Sequence, residues 1–140
     1  MTAIANIELN AEFKTALSYL EDSPEHVFIT GKAGTGKSTL LQYFKAHTEK
    51  KIVVLAPTGI AAINVKGQTI HSFFKFPHYP IEKRQIRQRK KRDLYQSLDM
   101  IVIDEISMVR ADLLDNIDYF MRINGRDRSL PFGGVRMVFI

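Results

Sequence analysis

Gly31, four intervening residues, Gly36, Lys37 and Ser38 fall at the spacing of a phosphate-binding loop. A glycine-rich turn can wrap its backbone N–H groups around an anion, so Gly31, Ala33, Gly34, Thr35, Gly36, Lys37, Ser38 and Thr39 are predicted to cradle the phosphates of a nucleotide. Lys37 supplies a point charge for the terminal phosphates, and the Ser38 hydroxyl can help hold Mg2+. A ligand-free surface turn could share this composition, but the flanks argue against it. Val27, Phe28 and Ile29 form the short apolar run of a buried parallel strand. Leu40, Leu41 and Phe44 then recur at helical spacing. A helix starting near Lys37 would aim its free N–H groups and the positive end of its dipole at the anion.

Two acids could complete such a site. Met100, Ile101, Val102 and Ile103 form a second apolar run that ends on Asp104 and Glu105. Carboxylates at the end of a buried strand are costly unless a cation or hydrogen bonds meet them. In an open α/β sheet that edge is also where ligands bind, so the pair is expected beside the phosphate loop. Asp104 is then the candidate to hold Mg2+, and Glu105 the candidate to orient or deprotonate an attacking water.

The elements needed to position these groups are readable in order. Phe13, Ala16, Leu17 and Leu20 predict a helix capped by Asn10 and stopped at Asp22, Ser23 and Pro24. Ile52 to Leu55 reads as a strand closed by Pro57, Thr58 and Gly59, and Ile60 to Val65 as a short helix. Phe73, Phe74 and Phe76 can be core aromatics or can serve a site, and pattern alone leaves both open. Leu113, Leu114, Ile117, Phe120 and Met121 mark an amphipathic helix that packs and does no chemistry. Val135 to Ile140 is a fourth strand, on which the chain ends, as if cut. The pattern predicts an α/β domain with four parallel strands.

At 140 residues, the chain can bury one core without staples. It has no cysteine, which excludes disulfides and thiolate metal sites, and four scattered histidines, which do not suggest zinc. No signal peptide and no apolar stretch near the roughly 18 residues of a membrane span is visible, so an intracellular, cytosolic protein without a membrane partner is expected. The basic character is local. Residues 75–93 hold eight Lys and Arg against Glu82 and Asp93, while the remainder carries twelve cations against thirteen anions. One face could therefore meet a polyanion, although a merely solvated charge run reads the same way and charge alone favours it.

The blocks GKAGTGKST (31–39), APTGIAAINVKGQTIHSFF (56–74), LDMIVIDEISMVR (98–110) and PFGGVRMVFI (131–140) together resemble the PIF family of DNA helicases, superfamily-one motors related to RecD. The likeness spans nearly the whole chain in the right order. It implies a RecA-like P-loop NTPase fold, three layers with a mostly parallel sheet between helices, with residues 1–140 as the beginning of the first of two motor domains. It implies ATP and Mg2+ as cofactors and 5′-to-3′ movement on single-stranded DNA. By the same resemblance, Pro57, Thr58, Gly59, Thr69, His71 and Ser72 grip the DNA backbone, and the last strand inserts between the loop-bearing and the acidic strands.

The chain departs from the family pattern in two respects. Where the family usually places a glutamine that reads adenine, the stretch LNAEFKTAL carries Phe13. The blocks expected after Ile140, including the second motor domain with its arginines, lie outside this sequence, so turnover by this stretch alone is expected to be negligible. The rival expectation is a non-enzymatic nucleic-acid-binding module in which residues 75–93 matter and the loop is vestigial. A nucleotide kinase is disfavoured, since no lid segment is visible.

Overall fold

A computed structural model describes residues 10–32 and 36–140. Helix α1 (Ala11–Asp22) begins at Asn10, whose side-chain oxygen accepts the Phe13 N–H at 2.8 Å. Strand β1 (Val27–Phe28) leads to the phosphate loop and α2 (Lys37–His47). Then come β2 (Ile52–Ala56), α3 (Gly59–Asn64), β3 (Gln68–Thr69), α4 (Ile70–Phe74), α5 (Asp93–Ser97), β4 (Met100–Ile103), α6 (Ala111–Asn124) and β5 (Arg136–Phe139). Short 3-10 turns cover Lys83–Gln85, Ile106–Met108 and Pro131–Gly134.

The strands form one sheet in the order β1-β5-β4-β2-β3, and every pairing is parallel. The last strand does insert between the loop-bearing strand and the acidic strand. Alternation along the strands divides the core in two. Leu55, Ile101, Ile103 and Met137 face α4, α5 and α6, whereas Val54, Met100, Val102 and Val138 face α1 and α2. Helices on both faces make the three-layer α/β arrangement that continuous apolar runs require.

Two expectations need correction. The sheet has five strands and not four, because Gln68–Thr69 pairs with Leu55 and Ala56. Two polar residues give no periodic signal, and their strand exists only because β2 offers them a ladder. The run Val27–Ile29 is not a buried strand: β1 lies at the sheet edge, and Phe28 is 64% exposed. Apolar composition suits a strand with neighbours on both sides, and here β1 has β5 on one side alone.

Arg136 was hidden inside an apolar run and proves structural. It is buried on β5, and its guanidinium donates to the carbonyls of Tyr19 and Glu25 at 2.5 Å and of Leu20 at 2.6 Å. Helix α1 has no basic residue in its last turn. Arg136 supplies that charge from the sheet at the negative end of the dipole: it meets the Leu20 carbonyl, shares the Tyr19 carbonyl with the Ser23 N–H, and reaches the Glu25 carbonyl just beyond the helix.

The basic segment is partly drawn into the fold. Asn116 and Asn124, two turns apart on α6 and both buried, donate to the carbonyls of Ile81 and Arg87 at 3.2 and 3.3 Å, and Asn124 also accepts the Arg89 N–H at 2.7 Å. The Arg89 side chain donates to the Phe74 carbonyl and lies 5.6 Å from the centre of the Phe120 ring. Lys83 pairs with Asp115, and Arg84 with Glu82. Lys75, Arg87, Lys90 and Lys91 remain exposed to solvent. Phe73 and Phe74 are buried in the core and line neither candidate cleft, whereas Phe76 is buried and also lines the cleft where β2 and β3 end.

Candidate nucleotide and nucleic-acid site

Because all five strands run parallel, their C-terminal ends gather at one edge of the sheet, and the predicted site residues follow them there. One cleft of about 250 Å³ is lined by Thr30, Gly31, Lys37, Ser38, Asp104, Glu105, Ile106, Ser107 and Ile140, together with Phe28 and Ile29. The loop from β1 and the acidic pair from β4 thus share a wall although β5 separates their strands. Gly36 adopts a left-handed conformation, φ 92°, and caps α2 with no side chain in the way. The Lys37 ammonium donates to the Gly31 carbonyl at 2.7 Å and so lies across the mouth of the loop. Thr39 is exposed on the first turn of α2 and does not line this cleft. Ala33, Gly34 and Thr35 lie outside the described residues.

Asp104 is fixed by its backbone, which donates to the Leu55 carbonyl at 2.8 Å. Burial holds its carboxyl above the usual carboxylate range; the neighbouring Glu105 charge adds to this, and a backbone hydrogen bond and Lys37 oppose it. An anion that its surroundings disfavour is a fit place for a divalent cation. Among the described residues, no group of three or more acidic or histidine side chains could hold a metal alone. Magnesium suits such a place, since it is commonly held by one or two carboxylates and substrate phosphates.

Glu105 is exposed and adopts a left-handed backbone, φ 53°, ψ 47°. Lys66 and Lys75 do the same beyond the ends of α3 and α4, so conformation alone marks nothing. Its surroundings are more telling: Ile106 N donates to the Ile140 carbonyl at 2.9 Å, and Met108 N to the Glu105 carbonyl at 3.0 Å. The turn carrying Glu105 is therefore tied to the end of β5.

The raised carboxyl of Asp104 gives a test on the unliganded chain. A carboxyl shifted upward in the fold stabilises it below the unfolded value of 3.8, and that contribution is lost as pH rises through the folded value. At neutral pH the ionised Asp104 is therefore a cost. Asp104→Asn is expected to raise the melting temperature at pH 7 and to remove any Mg2+ dependence of nucleotide binding, checked by thermal melts with and without Mg-nucleotide.

A second cleft of about 260 Å³ opens on the same edge, where β2 and β3 end. Pro57, Thr58 and His71 line it, and so do His78, Tyr79, Met108, Arg110 and Asn116. Gly59 and Ser72 are exposed and Thr69 is half-buried; these three do not line it. The Thr58 and Thr69 hydroxyls cap α3 and α4, accepting the Ala61 and Ser72 N–H groups at 3.2 Å. Each capping hydroxyl accepts through a lone pair and keeps its own proton for another acceptor, such as a phosphate oxygen. His71 stacks on His78 with ring centres 4.8 Å apart. Burial lowers its pKa first, and the His78 charge lowers it further. His78 and Tyr79 escaped the sequence reading; an aromatic pair bracketed by Pro77 and Pro80 was the available signal. The segment after β4 serves both clefts, Asp104 to Ser107 lining the first and Met108, Arg110, Asp112 and Leu113 the second.

The family model described as PIF1-like helicase matches residues 7–140. The chain belongs to the PIF1-like helicase family. The ATP-dependent DNA helicase PIF1 of Saccharomyces cerevisiae is 37% identical over 130 residues, which cover 86% of this chain and 15% of that protein. The ATP-dependent DNA helicase Pif1 of Bdellovibrio bacteriovorus is 34% identical over 143 residues, 98% of this chain and 32% of the relative. The crystal structure of Pif1 helicase from Bacteroides in complex with ADP-AlF3 and ssDNA is 40% identical, with a TM-score of 0.85 over 96% of this chain and 32% of its own. This PIF1-like chain therefore spans about an eighth to a third of the length of the relatives it matches. Among its described residues, no helix is long and apolar enough to cross a membrane.

Proposed function

We propose that residues 1–140 form the first part of the first RecA-like motor domain of an ATP-dependent DNA helicase that moves 5′ to 3′ on single-stranded DNA inside the cell. The observation that carries this reading is the cleft that joins Lys37 and Ser38 to Asp104 and Glu105 at the C-terminal edge of a parallel sheet. Residues 31–39 bind the triphosphate of ATP, with Lys37 on its terminal charge. Ser38 and Asp104 hold Mg2+, which neutralises charge on the phosphates when bound. Glu105 orients the attacking water and takes its proton. Pro57, Thr58, Gly59, Thr69, His71 and Ser72 contact the DNA backbone. The wall shared by the two clefts supports a mechanical link between nucleotide and DNA.

By itself the chain binds nucleotide with little turnover. No arginine lines the first cleft among the described residues, and transition-state arginines are worth about 10³- to 10⁵-fold in related phosphoryl transfer.

The exposed Lys75, Arg87, Lys90 and Lys91 keep the rival reading, a nucleic-acid-binding module with an idle loop, open to experiment. Titrating labelled single-stranded DNA at two salt concentrations, with and without Mg-ATP, separates them. A motor fragment should bind ATP and show DNA affinity that changes with it. Salt-steep DNA binding with no ATP binding would favour the module.

A further inference from the structure

Two clefts meet at Ile29, Thr30, Gly31 and Lys37, and the second of them, of about 230 Å³, runs between α1 and α2 on the side away from Asp104 and Glu105. A triphosphate held at the shared Lys37 leaves its base and sugar to one of them. The acidic cleft suits water and metal. The α1–α2 cleft carries the apolar surface of Phe13, Ala16 and Leu40, which suits a base.

Apart from Thr30 and Lys37, which stand at the phosphate end, the polar side chains of this cleft are Asn10 and Glu12, and neither reads a purine closely. Telling adenine from guanine takes a free Asn or Gln amide, which donates and accepts at adenine, or a carboxylate shielded from water, which accepts twice from guanine. Asn10 is the amide side chain in the cleft among the described residues, and its oxygen is already committed to the Phe13 N–H at 2.8 Å. What remains of that amide is a donor, which can meet N7 of either base, N1 of adenine or O6 of guanine, and so excludes neither. Glu12 accepts only and is exposed to water, which limits such a bond to about tenfold. Phe13 offers a ring face or edge, held by an edge-to-face contact with Tyr43 at 5.9 Å. Rings stack on any base.

Resting on the nucleotide-binding reading above, we infer that Phe13 is a specificity-determining residue that holds the base by ring contact, so that this site takes purine nucleoside triphosphates with little preference between ATP and GTP. Sites built on apolar contact discriminate weakly, whereas those built to pair a polar group reach about 10⁴-fold or more.

Calorimetric titration of the whole chain with Mg-ATP, Mg-GTP and inorganic tripolyphosphate tests this. ATP and GTP should bind within about tenfold of each other. Phe13→Leu, which keeps apolar volume against α2, should weaken both by about 5- to 10-fold and leave tripolyphosphate unchanged. A preference for ATP beyond tenfold overturns the inference while the nucleotide site stands. So does Phe13→Leu with unchanged nucleotide affinities, or with an equal loss for tripolyphosphate, which would place its effect in the fold. A wild-type chain that binds no ATP removes both this inference and the nucleotide reading.

Discussion

Glu105→Gln, measured in a two-domain protein that carries this chain as the start of its motor, is expected to retain ATP binding and to lose about 10²- to 10⁴-fold in ATP turnover. The amide is nearly isosteric but cannot accept the proton of the attacking water, and a base acts on the transition state rather than on ground-state binding. The effect should be confined to chemistry because the turn is held by backbone bonds: Ile106 to Ile140, and Met108 to the carbonyl of residue 105. The exposed carboxylate makes no side-chain hydrogen bond or ion pair found among the described residues, so little stability is at stake. Binding assays and phosphate release on the same sample separate the two quantities. Turnover that persists would reject Glu105 as the base.

The second large effect concerns the fold. Arg136→Met should cost about 3–5 kcal/mol, against a total of about 5–15 kcal/mol for an ordinary domain. It removes three hydrogen bonds from a charged donor, each about 1.5–3 kcal/mol, and recovers part of that by not burying the charge. Methionine matches the length of the aliphatic stem but offers no donor, so the carbonyls of Tyr19, Leu20 and Glu25 lose the group that meets them. At a urea slope of about 1–3 kcal/mol per molar, the unfolding midpoint should fall by roughly 2 M. Arg136→Lys should recover only part of this, since one ammonium cannot reproduce the planar fork across three carbonyls. An unchanged midpoint for the methionine variant would show that α1 is held by apolar packing alone.

Legibility in the sequence followed the range of the forces involved. The phosphate loop, its helix and the acidic pair were readable because each combines a fixed spacing with an apolar run whose length and periodicity are local properties. The insertion of β5 came from the family resemblance and not from any local pattern. Gln68–Thr69 could not be read as a strand, because its only reason to be extended is the ladder that β2 presents. Arg136 was passed over for a similar reason: within Val135–Ile140 it looks like one polar residue in an apolar run, and its partners lie more than a hundred residues earlier. Asn116 and Asn124 carry no signal in the apolar stripe of their helix, yet both are buried and dock the backbone of the basic segment. The charge excess of residues 75–93 overstated the free positive surface, since Lys83, Arg84 and Arg89 are engaged by the protein itself.

The central claim is that the loop after β1 holds the phosphates of a nucleotide through Lys37, whose ammonium now rests on the Gly31 carbonyl at 2.7 Å. Calorimetric titration of the wild-type chain and of Lys37→Ala with Mg-ATP tests it most directly. Charge-assisted hydrogen bonds contribute about 1.5–3 kcal/mol each, so losing this ammonium should weaken binding by at least tenfold and take it toward the limit of detection. Measurable binding by the wild type with none by Lys37→Ala is the predicted result; equal affinities for the two proteins would contradict it.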